Sequence, residues 1–131
     1  MNTYVSNIEE ATLTNENFRT VLFTAAHSQL VVMAIPAGED IGVETHPEHD
    51  QFIRIEQGSG KVVLDGVEHE IRNQWAIIIP AGVEHDIINT GDTVMKLYTL
   101  YSPPEHRSGV VRETKADAAA SEEHFDGTTS L

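Results

Sequence analysis

Short runs of apolar and β-branched residues alternate with turn-forming residues along most of this chain. Nine of these runs predict short β-strands, at residues 18–23, 29–35, 41–46, 51–57, 61–64, 67–71, 75–79, 85–89 and 94–101. Between two of them, Asp65-Gly66 is the strongest hairpin signal in the chain. Short strands with turn signals about every 8–12 residues are typical of an all-β sandwich or barrel.

The run at 51–57 alternates in polarity, and this alternation assigns directions to its side chains. Ile53 and Ile55 share one face of the predicted strand, so they point inward if one face is buried. Gln51 lies on that inward face, whereas Asp50 lies on the outward one. We therefore expect Gln51, and not Asp50, to reach the interior of the barrel.

The composition changes on either side of the predicted barrel, which spans about residues 18–102. The residues before it are mostly polar and acidic and are expected to lead into the fold. Two prolines end the barrel, and an Ala-rich run at 114–125, capped by Thr114, predicts one helix. This helix lies in the C-terminal extension 103–131. With no internal repeat, the chain of 131 residues is expected to form a single domain.

Composition and charge argue against several kinds of partner. The net charge of −13, with eight Lys and Arg residues scattered over the chain, disfavours nucleic-acid binding, which depends on basic side chains. No apolar run approaches the ~20 residues of a membrane helix, and the N-terminus lacks a secretory signal. Since there are also no cysteines, we expect a cytoplasmic protein without nucleic-acid or membrane partners that binds a small molecule.

Four polar side chains form the candidate metal site: Glu44, His46, Gln51 and His85. Glu44 and His46 lie two residues apart, so on a strand they point to the same face. Carboxylate, imidazole and amide groups are ligands that a divalent transition metal accepts. Two roles are compatible with Gln51, which either binds the metal directly or hydrogen-bonds His46 from behind.

Other aromatic and imidazole side chains are expected to have different roles. His49 follows a proline, which favours a loop at the rim of the cavity or in solvent. His69 alternates with apolar neighbours and is therefore expected to be buried. Tyr98 and Tyr101 differ in parity, so at most one of them faces the interior. The remaining histidines have no partner at a suitable spacing, namely His27, His106 and His124.

The spacing of the candidate ligands resembles the two motifs of the cupin superfamily. The second cupin motif contains Pro-x-Gly, two residues, His, three residues and Asn, and the matching residues here are Pro80, Gly82, His85 and Asn89. Gln74 stands where that motif begins with Gly. The first motif is usually His-x-His followed by Glu and Gly, and its positions hold Glu44, His46, Gln51 and Gly58. The resemblance covers about residues 28–102.

The resemblance implies a jelly-roll barrel, also called a double-stranded β-helix, with a metal at its wide mouth. Cupin ligands are typically three His and one Glu, whereas this chain offers two His, one Glu and one Gln. This set is similar to that of the cupin phosphomannose isomerases, which hold zinc, with Glu and Gln exchanged. Cupins of this kind usually pair, so a homodimer is expected, with Phe52 and the run 18–23 as candidate interface residues.

Such a site is compatible with three functions. The leading expectation is a metal-binding small cupin that acts as an isomerase or lyase on a sugar-like or other oxygen-rich small molecule. One alternative is an iron-dependent dioxygenase in which Glu44, His46 and His85 form a facial triad. The other is a non-catalytic, metal-dependent binding module. The expected cofactor is one divalent ion among Zn, Mn, Fe, Co and Ni. The sequence places no Arg or Lys in the cavity, which argues against phosphosugars.

Overall fold

The order of elements is that of a β-barrel with a short helix near each end of the chain. The computed structural model describes residues 2–131. Its elements are α1 (Ile8–Thr14), β1 (Arg19–Thr24), β2 (Gln29–Ile35), β3 (Asp50–Gln57), β4 (Ser59–Leu64), β5 (Val67–Arg72), β6 (Ala76–Ile79), β7 (His85–Ile88), β8 (Met95–Ser102), β9 (Val111–Arg112) and α2 (Lys115–Ala120). Neither helix in the described part of the chain has the length and apolar character needed to cross a membrane.

The strands form two antiparallel sheets around one core. The larger sheet has six strands in the order β6-β3-β8-β2-β1-β9, and the smaller has three in the order β5-β4-β7. Both sheets contribute to a single apolar cluster, with Ile53 and Leu97 from the larger sheet and Val62 and Ile87 from the smaller one. This architecture confirms the predicted all-β jelly-roll with a short C-terminal helix.

Strand β3 has the alternation that its sequence predicts. Gln51, Ile53 and Ile55 are buried, whereas Asp50 is exposed. The Asp50 carboxylate instead accepts a hydrogen bond from the backbone N–H of Ala81 at 2.9 Å. Because side chains alternate along the strand, the Gln51 amide lies inside the barrel. The neighbouring carboxylate of Asp50 lies outside, where it stabilises a turn.

The segment between β2 and β3 corrects one prediction. Within the described residues 41–46, the predicted strand is absent, and only isolated bridges join Asp40 to Ile88 and Glu44 to His85. The cause is Gly42, whose φ of +111° is incompatible with a regular strand. Its N–H donates to Asp86 Oδ1 at 2.9 Å. Burial, together with a hydrogen bond to Asp40, raises the pKa of the Asp86 carboxyl to about 7.

Helix α1 lies in a region that was expected only to lead into the fold. Asn7 caps it, because the Asn7 side chain accepts a hydrogen bond from Glu10 N at 3.1 Å. At its other end, Lys96 of β8 donates to the carbonyl of Leu13 at 3.1 Å and to that of Asn15. The positive charge thus lies where a helix dipole favours it. In the sequence, the start of this helix was indicated by an Asn followed three residues later by a Glu.

The C-terminal extension folds back over one end of the barrel. Helix α2 begins after Thr114 as predicted, and Thr114 Oγ1 accepts a hydrogen bond from Asp117 N at 3.0 Å. The helix ends at Ala120, earlier than the predicted run of 114–125. The last residues bond to the barrel, since Ser130 N donates to the carbonyl oxygen of Thr24 in β1 at 2.8 Å. The extension thereby becomes one wall of a cavity.

The burial of three further side chains tests predictions about the core and the dimer interface. His69 was predicted to be buried and is exposed, because it lies on β5, at the edge of the smaller sheet, where only Ile71 reaches the core. Phe18 is 4% exposed and belongs to the core, so it cannot serve as an interface residue. Phe52 is half-buried against Tyr98. Homodimer formation stays a prediction, which light scattering during size-exclusion chromatography would test.

Gly60 allows the close approach of β4 and β7, and its replacement is expected to be costly. A Cβ at this position would lie 2.0 Å from the backbone oxygen of Ile88, which cannot move without disturbing the β4–β7 ladder. We expect Gly60→Ala to lower the free energy of unfolding by about 3 kcal/mol, measured by urea titration. At Gly109 an added Cβ would meet no described atom within 4 Å beyond its chain neighbours, so Gly109→Ala should cost only about 1 kcal/mol of backbone strain. Equal effects of both substitutions would contradict this explanation.

Candidate metal centre

Backbone hydrogen bonds bring the two predicted motifs together. Glu44 N donates to His85 O at 2.8 Å, and His85 N donates to Glu44 O at 2.9 Å. Two residues further on, the His46 carbonyl accepts from Gly82 N at 2.9 Å. Gly82 has a φ of +88°, a conformation that glycine adopts without strain. The loop after β2 is therefore fixed to the start of β7 at two points.

Glu44, His46 and His85 converge at this junction. One potential ligand atom from each residue lies within 4.8 Å of the others, so the three could hold a metal ion. The Glu44 Oε2 and His46 Nε2 atoms are 3.0 Å apart. The ring centroids of His46 and His85 are separated by 5.3 Å. Spacings of this size allow three side chains to reach one ion through small rotations of their rings.

The His85 ring is oriented so that one nitrogen is free to bind a cation. His85 is 5% exposed, and its Nδ1 lies 2.9 Å from the Val83 carbonyl oxygen. Because a carbonyl only accepts, Nδ1 carries the proton and Nε2 keeps its lone pair. That Nε2 atom is buried and has no hydrogen-bond partner among the described residues.

The Gln51 amide also has one acceptor atom without a hydrogen-bond partner. Gln51 is 4% exposed, and its Nε2 donates to Thr99 Oγ1 at 3.1 Å rather than to His46. Its Oε1 is buried and has no partner within residues 2–131. Across the sheet Gln51 pairs with Tyr101, whose ring lies 5.7 Å from that of His46. Buried acceptors without partners are costly, and cation binding is one way to satisfy such atoms.

The electrostatics keep Glu44 ionised. Burial would raise the pKa of the Glu44 carboxyl, but the His46 hydrogen bond and the charges of His46 and Arg19 lower it below its ordinary value. For His46, burial lowers the pKa, whereas the carboxylates of Glu44 and Glu105 raise it to a net value above the usual one. An anionic carboxylate beside two imidazoles is chemically suited to a divalent ion.

The C-terminal extension adds residues that the sequence pattern did not assign to the site. Glu105 Oε2 lies 2.7 Å from His49 Nε2 and 3.7 Å from His46 Nδ1. A carboxylate on the far side of a ligating histidine orients the ring and raises its basicity. His49 thus lies beside the candidate site and contacts it through Glu105. His106, for which no partner was expected, is buried and lies 3.0 Å from Glu123.

A cavity of about 250 Å³ lies between the C-terminal extension and the barrel. Glu44 and His46 line its barrel side, together with Arg19 and the apolar side chains of Phe18 and Ile41. The other side consists of residues from the C-terminal extension, which are Glu105, His106, Lys115, Ala118, Ala119, Glu122, Glu123 and His124. The cavity therefore contains two basic residues, whereas the sequence placed none there. The available signal for Arg19 was its shared parity with buried Val21.

Comparison with known proteins identifies the family. A model of the cupin domain matches residues 31–101. The uncharacterized protein YrkC of Bacillus subtilis (strain 168) is 48% identical over 126 residues, covering 92% of this chain and 68% of YrkC. The crystal structure of BH2720 from Bacillus halodurans is 44% identical with a TM-score of 0.90, and the match covers 92% and 96% of the two chains. This chain belongs to the cupin family, as its motifs predicted.

The fold is also shared with more distant proteins. The crystal structure of a predicted oxalate decarboxylase from Thermotoga maritima superposes with a TM-score of 0.56 at 23% identity. The match covers 57% of this chain and 65% of that one. At this identity the likeness shows a shared fold alone.

Proposed function

We propose that this cupin binds one divalent transition metal and catalyses proton transfer, as an isomerase or lyase, on a small oxygen-rich molecule. The proposed ligands are Glu44, His46, Gln51 and His85. The observation that carries the proposal is the pair of buried lone pairs, on His85 Nε2 and Gln51 Oε1, that have no partner in the described chain. His85 lies beside the Glu44–His46 pair, and Gln51 pairs across the sheet with Tyr101, whose ring contacts that of His46.

The donor set limits the kind of metal and what it contributes. Two imidazoles, one carboxylate and one amide oxygen suit Zn, Mn, Fe, Co or Ni in the divalent state. When bound, such an ion supplies a Lewis acid that polarises a carbonyl or hydroxyl oxygen of the substrate. The remaining steps require protein groups that hold the substrate and move a proton.

Glu105 is the residue best placed to move that proton. It lines the cavity, and its Oε2 atom lies 2.7 Å from His49 Nε2. The His49 Nδ1 atom is in turn 2.7 Å from the Pro103 carbonyl oxygen, which fixes the ring. A carboxylate held by an imidazole can accept a proton from a substrate carbon and return it to the neighbouring one. Glu105 and His49 therefore form the proposed acid–base pair.

Solvent deuterium exchange tests this proposal without knowledge of the substrate. In D2O, metal-loaded protein is expected to exchange a proton on the carbon next to the carbonyl or carboxyl group of at least one hydroxyaldehyde, hydroxyketone or hydroxy acid. The incorporation of deuterium is measured by NMR. Glu105→Gln should slow this exchange ~10²–10⁴-fold, the usual contribution of a general acid–base group. The matched control Glu68→Gln changes a carboxylate on β5, away from the cavity, and should leave the rate unchanged. Metal binding without exchange on any compound would favour a binding module.

The second candidate is an iron-dependent oxygenase. The observation that favours it is that Glu44, His46 and His85 alone supply the two-histidine, one-carboxylate set of non-haem iron enzymes. Protein loaded anaerobically with ferrous iron would then consume oxygen in the presence of its substrate. Oxygen uptake without deuterium exchange would select this candidate over the isomerase or lyase.

A further inference from the structure

Arg19 is a buried cation in the cavity whose charge is poorly matched by the protein. It is 8% exposed and opens β1 on the same inward face as Val21. Its Nη1 atom lies 3.6 Å from Glu123 Oε1, longer than the ~2.7–2.9 Å of a charge-assisted hydrogen bond. Its Nε atom is buried without a hydrogen-bond partner in the described part of the chain. A guanidinium held in this way is costly unless a further anion reaches it.

The neighbouring charges are already matched more closely than Arg19. The Glu123 carboxylate is 3.0 Å from His106 Nδ1 and 3.4 Å from Arg112 Nη2, so it has two nearer partners than Arg19. Lys115, the other basic residue on the cavity wall, forms an ion pair with Asp40 at 2.5 Å. Arg19 is thus the cation of this wall that retains capacity for a ligand.

The shape and chemistry of the cavity indicate which anion fits. A guanidinium presents a planar pair of donors that matches a carboxylate bidentately. With Lys115 paired to Asp40, the described lining of the cavity offers no second free Lys or Arg side chain for the extra charge of a phosphate group. A cavity of about 250 Å³ also lies below the ~300–1,000 Å³ of sites for larger ligands. The side chains of Phe18 and Ile41 offer apolar contact to a short carbon chain.

We propose that Arg19 binds the carboxylate of a small hydroxy or oxo acid, whose neighbouring oxygen lies on the Glu44–His46 side of the cavity. This inference rests on the proposed function, because it names the substrate class of the same site. The carboxylate contact, however, involves a residue outside the proposed metal ligands. The two proposals can therefore fail separately.

Calorimetric titration with acids and their neutral amides tests the proposal. The probes are lactate, glycolate and pyruvate, with lactamide, glycolamide and pyruvamide as matched neutral compounds, added to metal-loaded and to metal-free protein. At least one acid is expected to bind at least tenfold more tightly than its amide. Arg19→Met should remove this preference while metal binding is retained, because none of the proposed metal ligands is changed. Arg72→Met, on the exposed end of β5, is the matched control and should retain the preference.

A gain of affinity separates the inference from a general loss of structure. Glu123→Gln removes the carboxylate charge that lies 3.6 Å from Arg19, so acids should bind several-fold more tightly to this variant. Arg19→Lys keeps the charge without the bidentate fork and should give an intermediate affinity. The proposal is wrong if no acid binds better than its amide, or if the preference persists in Arg19→Met. Failure of metal binding alone, with the acid preference intact, would overturn the proposed function and leave the Arg19 site standing.

Discussion

Replacing His85 with alanine is expected to weaken metal binding by at least ~100-fold, because it removes a ligand rather than a supporting residue, whose loss already costs 10–100-fold. The reason lies in the ring orientation. The Val83 carbonyl holds the proton on Nδ1, so the Nε2 lone pair is available without any rearrangement. Isothermal titration of metal-free protein with zinc and with manganese measures the change directly.

Thermal unfolding provides the control for the His85→Ala variant. At a metal concentration of 100 times the dissociation constant, binding should stabilise the unaltered protein by about 2.7 kcal/mol. His85→Ala should lose this increment, whereas His69→Ala, which removes an exposed imidazole of β5, should keep it. Retention of metal-dependent stabilisation by His85→Ala would exclude this residue from the ligand set.

The four candidate ligands could be selected from the sequence because local rules place them. Strand parity predicted that Gln51 points inward and Asp50 outward, and in β3 Gln51 is buried and Asp50 is exposed. For Glu44 and His46 the predicted strand was wrong. They still converge, because hydrogen bonds to His85 and Gly82 fix the loop at both residues. Local spacing therefore predicted that Glu44 and His46 lie close to His85, although it misjudged the backbone there.

The opposite wall of the site could not be predicted in the same way. Glu105 and Glu123 belong to a C-terminal extension whose residues are largely outside regular elements, so no period assigns them a direction. Their positions depend on tertiary contacts, such as those of Glu123 with His106 and Arg112. Arg19 did lie on a strand with a readable parity, but a charged residue at a strand end is more often solvated.

The charges on the two sides of the cavity connect the metal and substrate proposals. The overall charge of −13 disfavours the approach of an anion from a distance. Four carboxylates line the cavity, those of Glu44, Glu105, Glu122 and Glu123, and a bound divalent ion together with Arg19 and Lys115 would offset them. An acid that reaches the cavity would therefore meet a less negative environment than the protein surface. Substrate selectivity in this cupin is accordingly expected to come from the site itself.

Gln51 offers the sharpest test of how the metal is held, because a neutral amide stands where cupins usually have a carboxylate. Gln51→Glu is expected to tighten zinc binding about tenfold, since it adds a negative charge at nearly the same position. Without metal, the same substitution should destabilise the protein, because a buried carboxylate without a cation is costly. Gln51→Leu should weaken zinc binding ~10–100-fold. Zinc titration and urea unfolding of each variant measure these opposite effects.

Thr99 distinguishes a direct ligand from a supporting residue. Its Oγ1 accepts the Gln51 N–H at 3.1 Å and thereby leaves the amide oxygen, rather than the NH2 group, free. If Gln51 binds the metal, Thr99→Val should also weaken zinc binding, but less than Gln51→Leu, because the amide can still reach the ion after rotating. If Gln51 only fills space, Gln51→Leu and Gln51→Glu should bind zinc as tightly as the unaltered protein. The ion would then be held by Glu44, His46 and His85 alone, which is the ligand set that the oxygenase alternative requires.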